Sequence, residues 1–371
     1  MRQRVLLVST VHPATDSRIF YKIAPSLAAH YEVFFMRPGA GTGRHSDGFT
    51  CISLPFFEKL IFRLLLSHPV MLWKCLRLKP DLVHIFVPEL LPAAFIFHWL
   101  GAKVIYEVQE NLYKKFSIKQ YNNNPVFRKL FRFFDRAARR DFHLIFTETS
   151  YLEEYKRLAK HHAVVQNFVS LPQIDSIPEN PSPILAKHQF FYAGVISVER
   201  CFDTLMLAFQ HLNQHYPDFH VHFFGPVRLG DRKLDTFPGY KEFGGNLTFY
   251  GYQDQKTALR FARKCIAGIA LLKPVADYPE SYTTKMFEYM ALGLPVITSD
   301  FPLYRQVMEH SECGFCISPY SADNLYEKLR WLIEHPSDCL KMGKNGRKSV
   351  EAMYNWAGEE QKLLSFYKTL P

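Results

Sequence analysis

The chain has 371 residues, of which 48% are apolar, 15% aromatic and 22% charged, with a formal net charge of +10. That length accommodates about two to three domains, each able to bury its own core, and the composition excludes a disordered or fibrous chain. No apolar run reaches the ~18–20 residues of a membrane-spanning helix; the longest candidate, Leu90 to Leu100, is too short.

The opening MRQRVLLVSTVHP is basic at its start, but its apolar stretch is short and lacks a small-residue cleavage site, so it reads as a strand rather than a signal peptide. Val5 to Ser9 is that strand, a helix is expected from Ile19 to Ala29, and Tyr31 to Met36 completes a β-α-β start. The loop Pro38 to Gly43 is rich in glycine, yet it follows the second strand, lacks the Lys-Ser/Thr of a phosphate loop and opens no apolar helix. Phe56 to Leu78 suggests one or two helices. Asp81 to Val87, Leu91 to Leu100 and Lys103 to Glu107 then alternate strand, helix, strand, the pattern of a doubly wound sheet whose binding residues lie beyond the strands' C-terminal ends. Glu107, Gln109 and Glu110 are so placed.

The positive charge is unevenly distributed. Residues 1 to 180 carry 24 Lys and Arg against 15 Asp and Glu, and Asn111 to Arg140 alone holds nine basic residues against Asp135. Phe127, Leu130, Phe131 and Phe134 fall on one face of a helix there, with arginines on the others. The stretch reads either as a core helix with a solvated basic side or as a surface for anionic lipid headgroups. No nucleic-acid motif accompanies the charge, so nucleic acid is not an expected partner. His143 to Thr149 reads as a strand, Tyr151 to Lys160 as a helix and Val164 to Asn167 as a closing strand. Leu171 to Ala186, with four prolines, reads as a linker.

A second α/β unit begins at Gln189. The strand Phe190 to Ala193 leads into Gly194 and a helix from Cys201 to Asn213. His220 to Phe224 ends at Gly225, and Leu247 to Tyr250 at Gly251 and Tyr252. The pair His220 and His222 lacks a third metal ligand nearby in sequence, no Asp-x-Asp occurs anywhere, and no metal site is expected. Cys313-Gly-Phe-Cys316 has redox spacing but reads as a turn and strand. Seven cysteines, an odd number scattered through a long chain, argue for reduced thiols and a cytoplasmic setting.

The most informative stretch is Pro279 to Asp300, PESYTTKMFEYMALGLPVITSD. Thr283 or Thr284 is the expected N-cap, Met286, Phe287, Met290 and Ala291 follow at helical spacing, Gly293 stops the helix and Val296 to Thr298 is a buried strand. The front of that helix presents unpaired N–H groups and the positive dipole end beside Ser281, Tyr282, Thr283, Thr284 and Lys285, a seat for a phosphate or diphosphate. Glu280 and Glu288 flank it, and carboxylates bind hydroxyl-rich groups well because they only accept hydrogen bonds.

Glu280, seven residues, Glu288, then Tyr-Met-Ala-x-Gly-x-Pro-Val-Ile resembles the signature of the retaining glycosyltransferases of family 4, also called glycosyl transferase group 1. The resemblance implies the α/β fold GT-B, two Rossmann-like doubly wound domains facing across a cleft. It implies an acceptor-binding domain over 1–176, a nucleotide-sugar domain over 177–353 and a final helix over 354–371 that crosses back. It transfers a role at the donor sugar to Glu280 and at the ribose to Glu288. The family's glycine turn after the first strand of the second domain corresponds to Gly194; Val195 replaces its arginine, Arg200 stands at its lysine and Cys201 at a usual glycine. Arg200 is therefore the expected phosphate ligand, with Lys285 as a possible partner, and Gly225, Gly251 and Tyr252 are expected on the donor side.

On the acceptor side, HPATDSRIFYKIAPSLAAHYEV resembles one branch of the family and points to Asp16 and Arg18, with Glu107, Gln109 and Glu110. That branch has Asp-x-His-Glu where this chain has Glu107-Val108-Gln109-Glu110, and Phe86 replaces a second family histidine, two residues past His84. The expected activity is metal-independent, cofactor-free hexosyl transfer from a nucleotide-sugar donor to a glycan or lipid-linked acceptor in cell-surface polysaccharide biosynthesis. The expected location is the cytoplasmic face of an anionic membrane, contacted through residues 111–140. Two other readings compete: a sugar-nucleotide isomerase or epimerase on the same fold, and a donor-binding member that has lost transfer.

Overall fold

The computed structural model of the chain describes residues 2–39, 41–116, 125–178 and 188–370. Parts of the basic stretch, 117–124, and of the proline-rich linker, 179–187, lie outside the described residues. Two compact units emerge: Met1–Asn167 together with Trp356–Pro371, and Phe168–Asn355. The boundary thus falls at 167/168 rather than 176/177. Phe168, Val169, Ile174 and Ile177, expected at the end of the first domain and in the linker, bury their side chains in the core of the second unit.

The first unit is built on an eight-stranded sheet ordered β3-β4-β2-β1-β5-β6-β7-β8. Its strands are β1 (Arg4–Val8), β2 (Glu32–Pro38), β3 (Gly43–Arg44), β4 (Thr50–Leu54), β5 (Leu82–Ile85), β6 (Lys103–Val108), β7 (His143–Phe146) and β8 (His162–Val164). Every neighbouring pair is parallel except β3 with β4. Parallel strands are covered on both faces, which is why they read as continuous apolar runs. In β1, Leu6 and Val8 join one core cluster while Val5 and Leu7 join the other, as the two-residue period of a strand requires. The helix Trp356–Lys368 buries Trp356, Leu363, Phe366 and Tyr367 in the second of these clusters. Its Glu359 accepts the backbone N–H of Gln166 at 2.8 Å, and Trp356 donates to Ser26 at 3.0 Å.

The second unit carries a six-stranded, all-parallel sheet ordered β11-β10-β9-β12-β13-β14. These are β9 (Gln189–Ala193), β10 (His220–Phe224), β11 (Leu247–Phe249), β12 (Ala267–Ala270), β13 (Val296–Ser299) and β14 (Gly314–Ile317). In the first sheet the strand order reverses at β1 and β5, and in the second at β9 and β12. Ligands of doubly wound sheets bind outside the C-terminal ends of the strands at such reversals.

One expected helix is absent. Residues 151 to 160 contain only the end of a 3₁₀ turn, Thr149–Glu153, because Tyr151 and Tyr155 are drawn into the core and Arg157 takes a left-handed backbone, φ 63°, that a helix interior excludes. Cys313 is fully buried and Cys316 half-buried, both are free, and burial pushes each thiol up to about 12, which fits a structural role for the pair.

Candidate functional site

At the reversal in the second unit, three strand ends are joined by glycines. Gly194, Gly225 and Gly251 follow β9, β10 and β11 with φ of +123°, +140° and +66°. The N–H of Gly194 donates to Phe224 at 2.7 Å, and that of Gly225 to Gly251 at 2.7 Å. A Cβ on Gly225 would sit 2.6 Å from the Gly194 carbonyl carbon, so the approach of these chains excludes any side chain.

Two cations close on the first glycine. A Cβ at Gly194 would lie 2.6 Å from Lys285 Cε and 2.7 Å from an Arg200 Nη1. The Lys285 ammonium is also 5.1 Å from the centroid of Tyr192. Lys285 is half-buried. Burial first, and the Arg200 guanidinium second, push its pKa well below the ordinary lysine value, with Glu288 acting in the opposite sense. Arg200 ends the turn Val198–Arg200, and Cys201 follows with φ 62°. The cysteine at the position where the resemblance places glycine therefore does adopt the glycine-like backbone.

The helix Thr284–Ala291 brings Lys285 and Glu288 to this edge. It is docked by Tyr289, whose hydroxyl accepts the Ala193 N–H at 3.0 Å and whose ring occupies the space a Cβ at Gly268 would need. Thr283 is the N-cap residue by position, but its side chain makes no capping bond, contrary to expectation; its carbonyl accepts from Met286 at 3.2 Å instead. Gly293, φ +74°, ends the helix as expected.

The loop before the helix is held from behind. Asp277 O accepts the Glu280 N–H at 3.0 Å and the Ser281 hydroxyl at 2.9 Å, and buried Tyr304 donates to Ser281 O at 2.9 Å. The Tyr282 ring packs with Phe168 and Phe287, which makes it an anchor of the loop. Tyr252, in contrast, is 65% exposed. Glu288 Oε1 accepts from Gln255 Nε2 at 2.6 Å, and Gln255 Oε1 accepts from Gln173 at 2.9 Å. Gln255, in the first turn of a helix capped by Asp254, carried no signal in the sequence beyond that cap. His220 and His222 are hydrogen-bonded to Thr248, Tyr250 and Gln189, which fits a structural role. Among the described residues no group of three His, Cys, Asp or Glu could hold a metal ion.

The residues expected on the acceptor side occupy the first unit and are largely spent on one another. Arg18 grips buried Glu107 with two bonds, 2.8 and 3.1 Å, and donates to Val165 O and Gln166 O. Gln109 donates to Glu107 at 2.6 Å. Burial opposes the Glu107 charge, but Arg18 and His84 outweigh it and hold the carboxyl well below the usual carboxylate range. Fully buried His84 is kept low by burial against the pull of Glu107, and shares a 2.8 Å hydrogen bond with Tyr367. Asp16 caps the helix that starts at Ile19 by accepting from Arg18 N and Ile19 N. Glu110 lies half-buried, 3.3 Å from Lys115. Arg18 and Glu107 thus brace this edge as a buried pair, while Asp16, Gln109 and Glu110 are its half-buried polar groups from the expected set.

Residues 174–349, just under half of the chain, match the model of the family Glycosyl transferases group 1. The spore coat protein SA of Bacillus subtilis is 24% identical over 183 residues, 48% of each chain, so the match spans about half the length of that relative. Over the whole chain the fold is similar to a sucrose-phosphate synthase from Thermosynechococcus elongatus, with TM-score 0.78, 17% identity and coverage of 100% of this chain and 99% of that one. It is also similar to the HepE protein of Anabaena in complex with UDP-glucose, with TM-score 0.72, 13% identity and full coverage of both chains. The chain has the GT-B fold of these structural neighbours, and its residues 174–349 carry the match to the Glycosyl transferases group 1 family.

Proposed function

We propose that the chain is a retaining glycosyltransferase of family 4 that moves a sugar from a nucleotide-sugar donor to a glycan or lipid-linked glycan, in cell-surface polysaccharide synthesis. The observation that carries this reading is the convergence of Arg200 and Lys285 on Gly194 at the head of the helix that bears Glu288. Two cations beside a strand-end glycine are poorly suited to stability and well suited to a diphosphate. The neighbour bound to UDP-glucose supports a donor of this class.

In this reading the diphosphate rests on the first turn of Thr284–Ala291 between Arg200 and Lys285. As the glycosidic bond to phosphate breaks, negative charge grows on the leaving oxygen, and both cations and the helix end stabilise it without reorganising. These cations supply the charge that a divalent metal would otherwise bring. Glu280 contacts the sugar, while Glu288, oriented by Gln255, accepts from the ribose hydroxyls. The leaving phosphate takes the acceptor proton on the same face, which retains configuration and requires no separate base. The acceptor belongs to the first unit, with Gln109 and Glu110 as its contacts. The cytoplasmic face of an anionic membrane is the working place, approached by the basic stretch 111–140; no described helix is long and apolar enough to cross a bilayer.

A panel of nucleotide sugars in a thermal melt tests the donor class: the correct one raises the midpoint, and Arg200→Ala abolishes the shift. Product analysis with that donor then separates transfer from isomerisation or binding alone. A chain that no nucleotide sugar stabilises contradicts the reading.

A further inference from the structure

The turn after β1 holds a polar group that neither the donor site nor the bracing of the first sheet uses. Ser9 to His12 leaves the C-terminal end of β1, one of the two strands at the reversal, where a doubly wound sheet receives ligands. Its start is pinned by both neighbouring strands. Ser9 N–H donates to Met36 O of β2 at 3.0 Å, and Phe86 N–H, just past β5, donates to Val8 O at 3.4 Å. Buried Thr10 gives its hydroxyl to Glu89, which Arg63 grips through Nε at 2.9 Å and Nη2 at 2.7 Å. The far end is held as well: Asp16 N–H donates to Pro13 O at 3.1 Å, and the Asp16 carboxylate caps the next helix.

Within this turn the hydrogen bonds of Ser9 decide which ring nitrogen of His12 carries the proton. Fully buried Ser9 accepts, through Oγ, the N–H of Val11 at 3.3 Å and that of His12 at 3.1 Å. With both lone pairs taken, its own proton goes to His12 Nδ1, 2.7 Å away. Nδ1 is therefore an acceptor, and in the neutral imidazole the proton sits on Nε2. That nitrogen makes no hydrogen bond with any described residue, and the side chain is half-buried rather than sealed. The two positions at which the resemblance has histidines are committed elsewhere. The ring of Phe86 is buried and stacked on that of His84, 4.2 Å between centroids, and Gln109 donates to Glu107 at 2.6 Å.

We propose that His12 binds the acceptor sugar: its Nε2–H donates to a hydroxyl or ring oxygen of a hexose at the acceptor's end, and Ser9 is the positioning residue that holds the ring in this tautomer. This rests on the transfer reaction proposed above and deepens it by naming a further acceptor contact. An N–H donor orients an oxygen through its lone pair and removes no proton from it. That is in keeping with a reaction in which the leaving phosphate takes the acceptor proton. Pinning the turn at Thr10 and Asp16 limits the freedom the ring would otherwise lose on binding.

The test uses the full chain with histidine isotopically labelled at nitrogen, the His12 signals being those lost in both His12→Phe and His12→Gln. The native spectrum should show a protonated Nε2 and a bare Nδ1, and Ser9→Ala should mix the two tautomers. Of a panel of p-nitrophenyl hexosides, at least one should shift the His12 Nε2 signal. With that glycoside and the stabilising nucleotide sugar, His12→Phe should raise the KM for the glycoside roughly tenfold while kcat changes less. His12→Gln, which keeps an N–H at nearly the same place, should recover most of that loss. The thermal shift given by a nucleoside diphosphate should be native in both variants. A proton found on Nδ1, a panel that leaves the His12 signal unmoved, or a native KM in His12→Phe each overturns the proposal. A chain that no nucleotide sugar stabilises, but whose His12 signal a glycoside still moves, contradicts the donor reading and leaves His12 standing.

Discussion

The strand ends of the two sheets differ in their electrostatic state. In the first unit two buried pairs near that edge are matched, Arg18 with Glu107 and Arg63 with Glu89. In the second unit Arg200 and Lys285 are brought together with like charge, and the lysine gives up much of its affinity for a proton. Matched pairs with their hydrogen bonds complete hold a backbone in place. Like charges confined together weaken the fold locally and become favourable only when an anion arrives. In the proposed reading the contrast separates residues that shape the protein, Arg18 and Glu107 among them, from Arg200 and Lys285 at the donor, although the resemblance would have put Arg18 and Glu107 in contact with a ligand as well.

The largest expected effect comes from breaking a match. Arg18→Met leaves the Glu107 carboxylate buried without its guanidinium, and we expect a loss of about 3–5 kcal/mol in denaturant melts. A loss below about 1 kcal/mol would remove the bracing role from this pair.

Acid should find the second pair. Glu89, mostly buried, is held at about 2 against an ordinary 4.5, because His68, Arg63 and Thr10 outweigh the burial that opposes its charge. Its folded pKa is depressed, so its contribution is complete above about pH 4.5 and is lost as pH falls toward 2. At ~1.4 kcal/mol per unit this is on the order of 3 kcal/mol. Glu89→Gln should therefore be less stable than the native chain at neutral pH and converge on it near pH 2; parallel urea midpoints across that range would contradict the assignment.

In the second unit the signs reverse. Lys285→Met removes a confined charge and should leave the melting point unchanged or raised, while affinity for a nucleoside diphosphate drops by about 1.5–3 kcal/mol, roughly 10- to 150-fold. Loss of stability without loss of affinity would make this lysine a structural residue. The smallest effect is expected at Gln255→Leu, which frees Glu288 from its orienting bond and should weaken nucleotide binding by about 1 kcal/mol, roughly fivefold, without changing the response of the chain to acid.

How far these features were legible depended on their range along the chain. The alternation of strands and helices, the stop at Gly293 and the placing of Glu280, Lys285 and Glu288 around one helix are local, and periodicity with capping chemistry reports them. Arg200 was reachable through the resemblance, which sets it at the position of the family's lysine after Gly194. The partners of charges were not: Arg63 meets Glu89 across 26 residues and Arg18 meets Glu107 across 89. Hydrophobic patterning identifies the buried face of an element but not the groups that meet there. For the same reason Arg18 and Glu107 read as ligand contacts in sequence, and their burial and mutual bonding appear only in three dimensions. The exposure of Ile61 to Leu66 was not legible either: the sequence predicts one or two helices over Phe56 to Leu78, and nothing local announces that this apolar run faces outward.

The most direct measurement is titration calorimetry of the best-stabilising nucleoside diphosphate at about pH 8, in buffers of different ionisation enthalpy. A lysine with a lowered pKa regains its proton when a diphosphate settles against it, so the native chain should take up protons on binding and bind more weakly as pH rises. That uptake should vanish in Lys285→Met. Equal affinity and equal proton exchange in the native chain, Lys285→Met and Arg200→Ala would contradict the claim that these two cations seat the donor.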